Sequence, residues 1–265
     1  MKKSKSNLSS KDLGSTERFG YEWKKYGKII PKYELQFLKW VYPLKKEDFA
    51  GKKVLDAGCG IGRNSYWPLV YGAKEVIAFD YDKRTVEVAK KNLAGFKNSE
   101  VKFQSIYDLE LKNKFDISFS IGVIHHLENP RLAVKKLVDA AKKGGMVLIW
   151  VYGYEGNEWI VHYINPIRKI TSKLPLFITN VLSYLFSIPL YLYVQFIPQK
   201  KSYLKQLSTF KFWHLHSIVF DQLIPKIANY WRKEEAIALF EGQRLKDIRA
   251  YRVNENSWTV IGRKK

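Results

Sequence analysis

Thiols are nearly missing from this chain: Cys59 is the one cysteine in 265 residues. That excludes an intrachain disulfide framework and a zinc cluster built on cysteines, and no other group has metal-ligand spacing. Acidic side chains are scarce too, 25 against 46 Lys plus Arg, for a net charge of +21. No five like charges stand in a row, which excludes a dedicated polybasic tail. The opening MKKSKSNLSSKD has no apolar stretch, so no secretory signal is expected and the expected location is cytoplasmic. The longest deficit is at 174–199, where no charged side chain occurs in 26 positions.

What is present argues against disorder. Apolar residues make up 46% of the chain, enough for one large domain or a domain with a sizeable insertion. The positive excess is densest over 1–53 and 153–232, and it fits nucleic acid, an anionic membrane surface, an acidic substrate or a lysine-rich composition. Residues 1–15 read as a polar tail and 16–50 as a helical cap. Strands are expected at 53–56, 75–80, 101–104, 115–121 and 146–152, with helices between them at 64–71, 83–93 and 130–142. That alternation predicts an α/β fold, a Rossmann-like doubly wound sheet with mostly parallel strands. The alternation stops after Tyr152 and resumes with a helix at 233–240. Strands at 245–251 and 258–262 then close an antiparallel hairpin around Asn254-Glu255-Asn256. The core is therefore assigned to 51–152 and 233–265, and 153–232 to a helical insertion.

The turn after the first strand carries the chemistry. Asp56, Gly58, Gly60 and Gly62 alternate, whereas the dinucleotide fingerprint G-x-G-x-x-G fails because Arg63 or Ser65 stands at its last glycine. An acid ahead of the turn suits a ligand ammonium rather than a pyrophosphate. Asp80, 24 residues on at a strand end, is placed to accept from ribose hydroxyls. Ammonium, carboxylate and ribose together describe S-adenosylmethionine.

The segments VLDAGCGIG, AFD and FDISFSIGVIHHLENP resemble class I S-adenosylmethionine-dependent methyltransferases of the small-molecule and lipid type. The resemblance implies that Asp56 with the backbone of Gly58, Cys59, Gly60 and Gly62 holds the methionine part. It implies Asp80 on the ribose and Tyr81 on the adenine. Ser105 stands where family members often place an Asp for the adenine amino group, with the Ile106 backbone beside it. Ser120, Ile121 and Gly122 would line the sulfonium side, and Phe19-Gly20-Tyr21-Glu22-Trp23 would cap the cofactor through Trp23.

Two base-methylating chemistries are disfavoured. Ser120-Ile121-Gly122-Val123 replaces the Asn/Asp-Pro-Pro-aromatic run of exocyclic-amine enzymes, and Cys59 lies inside the cofactor turn, away from a C5-type nucleophile's place. Nucleic acid is thus an unlikely partner. The candidate bases are His125, His214 and His216, the latter two expected on one strand face or in a turn. Tyr152, Tyr154, Glu155 and Tyr230 are the candidate acceptor contacts.

In the uncharged run, Thr179, Ser183 and Ser187 make one polar stripe on an otherwise apolar helix, flanked by Arg168, Lys169 and Lys173 and by Lys200, Lys201 and Lys205. Three roles stay open for it: a lid on an apolar acceptor pocket, a monotopic foot on the inner face of the cell membrane, or a dimer contact. The expected function is methyl transfer to an apolar or lipid-linked small molecule, at oxygen by preference. A soluble sugar or natural-product enzyme, an RNA-modifying enzyme and a non-catalytic S-adenosylmethionine-binding module are the alternatives.

Overall fold

The computed structural model describes residues 29–31, 33–200 and 202–265. The tail at 1–15 and the aromatic segment 19–23, Trp23 included, lie outside the described residues.

Runs of fully buried residues such as Val54–Ala57 and Val76–Phe79 are what a parallel sheet covered on both faces requires. β1 (Lys53–Ala57), β2 (Glu75–Asp80), β3 (Ser99–Phe103), β4 (Phe115–Ile121) and β5 (Ala141–Tyr152) are parallel. β6 (Leu245–Val253) and β7 (Ser257–Lys264) add an antiparallel hairpin, so the order is β3-β2-β1-β4-β5-β7-β6. The fold expected from the alternation is the fold observed. Helices α1 (Tyr33–Val41), α2 (Arg63–Val70), α3 (Lys83–Leu93) and α4 (Pro130–Ala140) cover the sheet. Several boundaries shift from expectation by a few residues, and the largest shift, at the start of β5, has a clear cause. Ala141 already pairs with Phe115 in the ladder, so the fourth helix stops at Ala140 and not at Lys142. Gly145 then closes the irregularity in β5, where any Cβ would lie 2.9 Å from the carbonyls of Lys142 and Phe115.

Two cores result, one per face. Leu55, Ile77, Ile149 and Val260 pack with α4, and Val54, Val76, Ile117 and Leu148 pack with Phe37 and Trp40 of α1 and Trp67 of α2. Each such side chain contributes about 1.5–3 kcal/mol on burial. The chain runs from β1 to β2 and β3 on one side, while β4 takes the other edge of β1. Their carboxyl ends open a crevice at that reversal, where ligands bind in open α/β sheets.

Between β5 and α9, defined below, the insertion carries α5 (Asn165–Thr171), α6 (Leu176–Phe196), α7 (Ser202–Ser208) and α8 (Phe212–Leu223). Its two ends are stitched to the sheet side by side. Trp231 N donates to Tyr152 O (3.1 Å), and Asn229 N donates to His125 O (2.8 Å). α9 (Lys233–Ala238) then returns the chain to the hairpin. α6 and α8 grip each other through polar groups: the His216 ring of α8 lies 2.8 Å from Ser187 Oγ and 3.3 Å from Ser183 Oγ.

Gly62 begins α2 at φ 80°, where a side chain would also lie 3.2–3.3 Å from Leu93 and Ala89 of α3. Gly62→Ala is expected to cost about 2–4 kcal/mol, from left-handed strain plus overpacking, read as a drop in the urea midpoint at unchanged slope.

Candidate active site

The glycine turn is hung from the end of β2. Gly58 N and Cys59 N both donate to Phe79 O (2.8 and 2.9 Å), and Gly60 N donates to Asp80 Oδ2 (2.8 Å). Gly60 holds φ 53° with nothing within 4 Å of where its Cβ would be. The missing side chain leaves room for a ligand against the backbone.

A cavity of about 370 Å³ opens there. Of the residues singled out from sequence, Gly58, Cys59, Gly60 and Asp80 form its floor. Tyr81, Ser105 and Ile106 form one wall, and Ile121 with Gly122 lies at the β4 end. Tyr81 stacks on Phe103 (5.2 Å between centroids), a flat apolar face suited to a purine. Ser105 Oγ accepts from Tyr107 N at 3.2 Å. Three of the predicted residues stand behind the wall. Gly62 packs α2 on α3, Ser120 Oγ donates to Ala57 O (2.8 Å), and Asp56 is fully buried.

The electrostatics favour a cation. Asp56 Oδ2 accepts from the Ser65 hydroxyl at 2.6 Å, but Oδ1 has no partner. Burial pushes the Asp56 carboxyl up to about 7, and the charge of Asp80 adds to the rise. Asp80 is itself raised by burial, against the opposing pull of the Gly60 and Asp82 amides. Two carboxylates in a low-dielectric pocket stay ionised together only at a cost, which an arriving positive charge offsets. Burial also holds the Cys59 thiol well above its usual range, so it is no nucleophile.

The three candidate bases fall in different places. His125 is fully buried, stacked on Tyr152 (3.7 Å), with neither ring nitrogen bonded; it does not reach the cavity. His216 is buried between α6 and α8, and exposed His214 stacks on Phe210 (4.0 Å). Both sit on helix α8 rather than on a strand or turn, and neither lines the cavity. His126, next to His125, does line it.

A second cavity of about 1370 Å³ shares Trp150 and Tyr152 with the first. Tyr230 lines it and stacks on Tyr152 (5.5 Å). Tyr154 and Glu155 do not. Arg232 covers the Tyr154 ring, and Glu155 accepts from Trp258 Nε1 (3.3 Å). Glu158 lines this cavity and also accepts from Gly156 N (2.9 Å).

Sequence reasoning missed several wall residues of the first cavity, Arg63 and Trp150 among them. Arg63, half-buried, brings its guanidinium over the Tyr33 and Trp40 rings (4.8 and 5.2 Å). It directly follows the third glycine, and that adjacency was its signal. Trp150 sits on a strand already assigned, two positions before Tyr152, the end that drew attention. Asp221 of α8 joins them in the wall from the insertion.

Comparison with known proteins gives the domain. The model described as Methyltransferase domain matches residues 48–163. A class I methyltransferase domain occupies that stretch. The tRNA U34 carboxymethyltransferase of Campylobacter hominis is 33% identical over 120 residues, 43% of this chain and 40% of that protein. The (S)-coclaurine N-methyltransferase of Papaver somniferum is 27% identical over 138 residues, 46% and 38% respectively. The chain spans between 32% and 40% of the length of the first curated relatives it matches. A solved S-adenosylmethionine-dependent methyltransferase of Aquifex aeolicus has the same fold, with TM-score 0.55 at 17% identity over 93% of this chain and 98% of that one. The cofactor of such a domain is S-adenosylmethionine, and the residues present fit it: an orphaned carboxylate oxygen, a side-chain-free cradle, an acid at the β2 end and a flat aromatic wall. The expectation against nucleic acid gains no support here, since one relative acts by its name on tRNA.

Because the Asp56 carboxyl is raised, it is protonated in the free protein below pH 7, and a bound ammonium favours its ionised form. Cofactor affinity measured by calorimetry is therefore expected to fall roughly tenfold per unit as pH drops below 7. The unliganded protein should show the reverse, losing this group's contribution to stability as pH rises from about 4 through 7. Asp56→Asn should abolish the slope in affinity.

Proposed function

We propose that the chain transfers a methyl group from S-adenosylmethionine in the first cavity to an apolar or lipid-linked small molecule in the second, at an oxygen by preference. The observation that carries the reading is the shared wall of Trp150 and Tyr152, which puts the two chambers in contact. The bound cofactor supplies an electrophilic methyl group, so the protein's part is alignment and, for a hydroxyl acceptor, a place for the proton. The second chamber joins Trp159, Leu190 and Leu204 to Lys200, Arg252, Glu158 and Glu255, a surface for an amphipathic molecule with a polar head. Tyr152 and Tyr230, stacked at its inner end, would pack the acceptor towards the methyl group.

His126 takes the role first assigned to His125. Its Nδ1–H donates to Ile227 O (2.7 Å), which leaves Nε2 as the acceptor nitrogen of the ring. Burial lowers its pKa to about 4, so the ring stays neutral at pH 7.

A second reading has support of its own. The relatives named as tRNA-modifying enzymes, together with the net charge of +21, favour an RNA acceptor. One incubation separates the two: the chain with methyl-labelled S-adenosylmethionine and fractionated cell extract. Label in the organic phase supports the lipid reading, label in RNA replaces it, and label in the aqueous small-molecule fraction points to a sugar or natural product. No label in any fraction, with cofactor still bound, makes the chain a binding module.

For a hydroxyl acceptor, His126→Ala is expected to lower kcat by about 100-fold or more while the cofactor Kd stays within about twofold. With the ring already neutral, kcat should be flat from pH 6 to 8, and any acid-side loss should sit in the KM for the cofactor. A kcat that titrates near pH 6.5 would remove His126 from the role.

A further inference from the structure

α6 is built inside out for a helix in water. Thr179, Ser183 and Ser187 are fully buried, while Phe177, Val181, Leu185, Ile188, Leu192 and Phe196 are 47–80% exposed. Those six follow one another at spacings of four, four, three, four and four. At 100° per residue they fall within one apolar band about 100° wide along about 30 Å of helix, opposite the buried polar stripe. The stripe cannot roll inward, because Ser183 and Ser187 are engaged with the His216 ring of α8. An apolar strip of this length on a surface marks a docking face.

The charge around it selects the occupant. Between Glu158 and Asp221 the sequence has no Asp or Glu, but it has seven Lys or Arg. Lys169 and Lys173 precede α6, Lys200 and Lys205 follow it, and all four are exposed. Arg168, expected among them, is instead buried and bonded to Gln222 and Tyr230. A second copy seated on the stripe would bring these lysines against their equivalents with no acid in the segment to pair them. α6 has the length and hydropathy to cross a bilayer, yet its polar face is fastened to α8, and both flanks of the insertion return to one sheet.

We propose that this face docks on an anionic lipid bilayer, with α6 lying in the plane of the interface. The stripe enters the acyl boundary, and the lysines at both ends of the helix meet the headgroups. The second cavity takes part of its wall from the same elements, Leu190 of α6 and Lys200 just beyond it. The docking is nevertheless independent of which acceptor is methylated, and its test reads lipid binding alone.

The full chain is sedimented with vesicles of phosphatidylcholine, with and without phosphatidylglycerol. The expected result is binding to the mixed vesicles only, weakening as salt rises. Leu185→Glu combined with Leu192→Glu should reduce that binding roughly 10-fold or more. Lys169→Ser, Lys173→Ser and Lys205→Ser together should reduce it roughly 100-fold. All these sites are exposed and lie outside both cavities, so cofactor affinity should match the wild type and report an intact fold. A wild-type chain that stays in the supernatant, or binds both vesicles equally, overturns the proposal without recourse to any variant. So do variants that bind like the wild type, or a dimer in sedimentation velocity that the Glu variants dissolve.

Discussion

The contact between the Asp80 carboxylate and the glycine turn organises the cofactor side of this molecule. Gly60 N and Asp82 N, at 2.8 and 3.0 Å, hold a half-buried carboxylate at the tip of β2 and fix the path of the turn that leaves β1. The turn in turn sets where α2 starts, and so where Arg63 reaches the cavity. The arrangement is electrostatically unfavourable in the free protein. Asp56 and Asp80 are both raised by burial, and Asp56 keeps an oxygen without a partner. A site prepared for a cation carries that cost before the cation arrives, and the preparation is what allows tight binding without rearrangement.

The insertion is tied to this site through one helix. α8 grips α6 at His216 and, five residues later, presents Asp221 to the cofactor cavity. Its last turn accepts from α5: Arg168 Nε donates to Gln222 O (2.6 Å) and Thr171 Oγ1 donates to Leu223 O (2.8 Å). Polar groups thus set the register of the insertion beside a small apolar cluster of Val194, Leu207 and Leu215, and the outer apolar stripe of α6 is left to face outward. Hydrogen-bonded polar contacts specify one alignment where an all-apolar seam would tolerate several.

The sheet and the cofactor turn were legible because local pattern decides them. Strand–helix alternation fixes the topology, and Asp56, Gly58, Gly60 and Asp80 are tied to one strand–turn–strand unit. The acceptor side was not legible in the same way. His214 and His216 drew attention as titratable residues among aromatics, yet a ring nitrogen's role depends on what packs against it, and here that is a serine stripe 29 to 33 residues away. His125 and His126 are adjacent, chemically identical and both buried, and only the Ile227 carbonyl beside His126 and its place in the cavity wall separate them. The stripe of Thr179, Ser183 and Ser187 was visible, but which face of α6 turns inward depends on α8, which no local periodicity encodes.

Arg168 links these observations. It is a buried guanidinium whose bonded partners are all neutral: Gln222, Asn165 and Tyr230. Burial is the main reason both His125 and His126 are lowered, and the Arg168 charge adds to the effect on each. A ring with a pKa near 4 looks like a poor base, since a group matched to neutral pH would take a proton more readily. The requirement differs when a hydroxyl is being methylated. As the new bond forms, the oxygen becomes positively charged and its proton strongly acidic, so the accepting nitrogen has to be unprotonated and in place far more than it has to be basic. Burial beside the wall that both cavities share, with a smaller contribution from the Arg168 cation of the insertion, keeps the imidazole in that state across the physiological range.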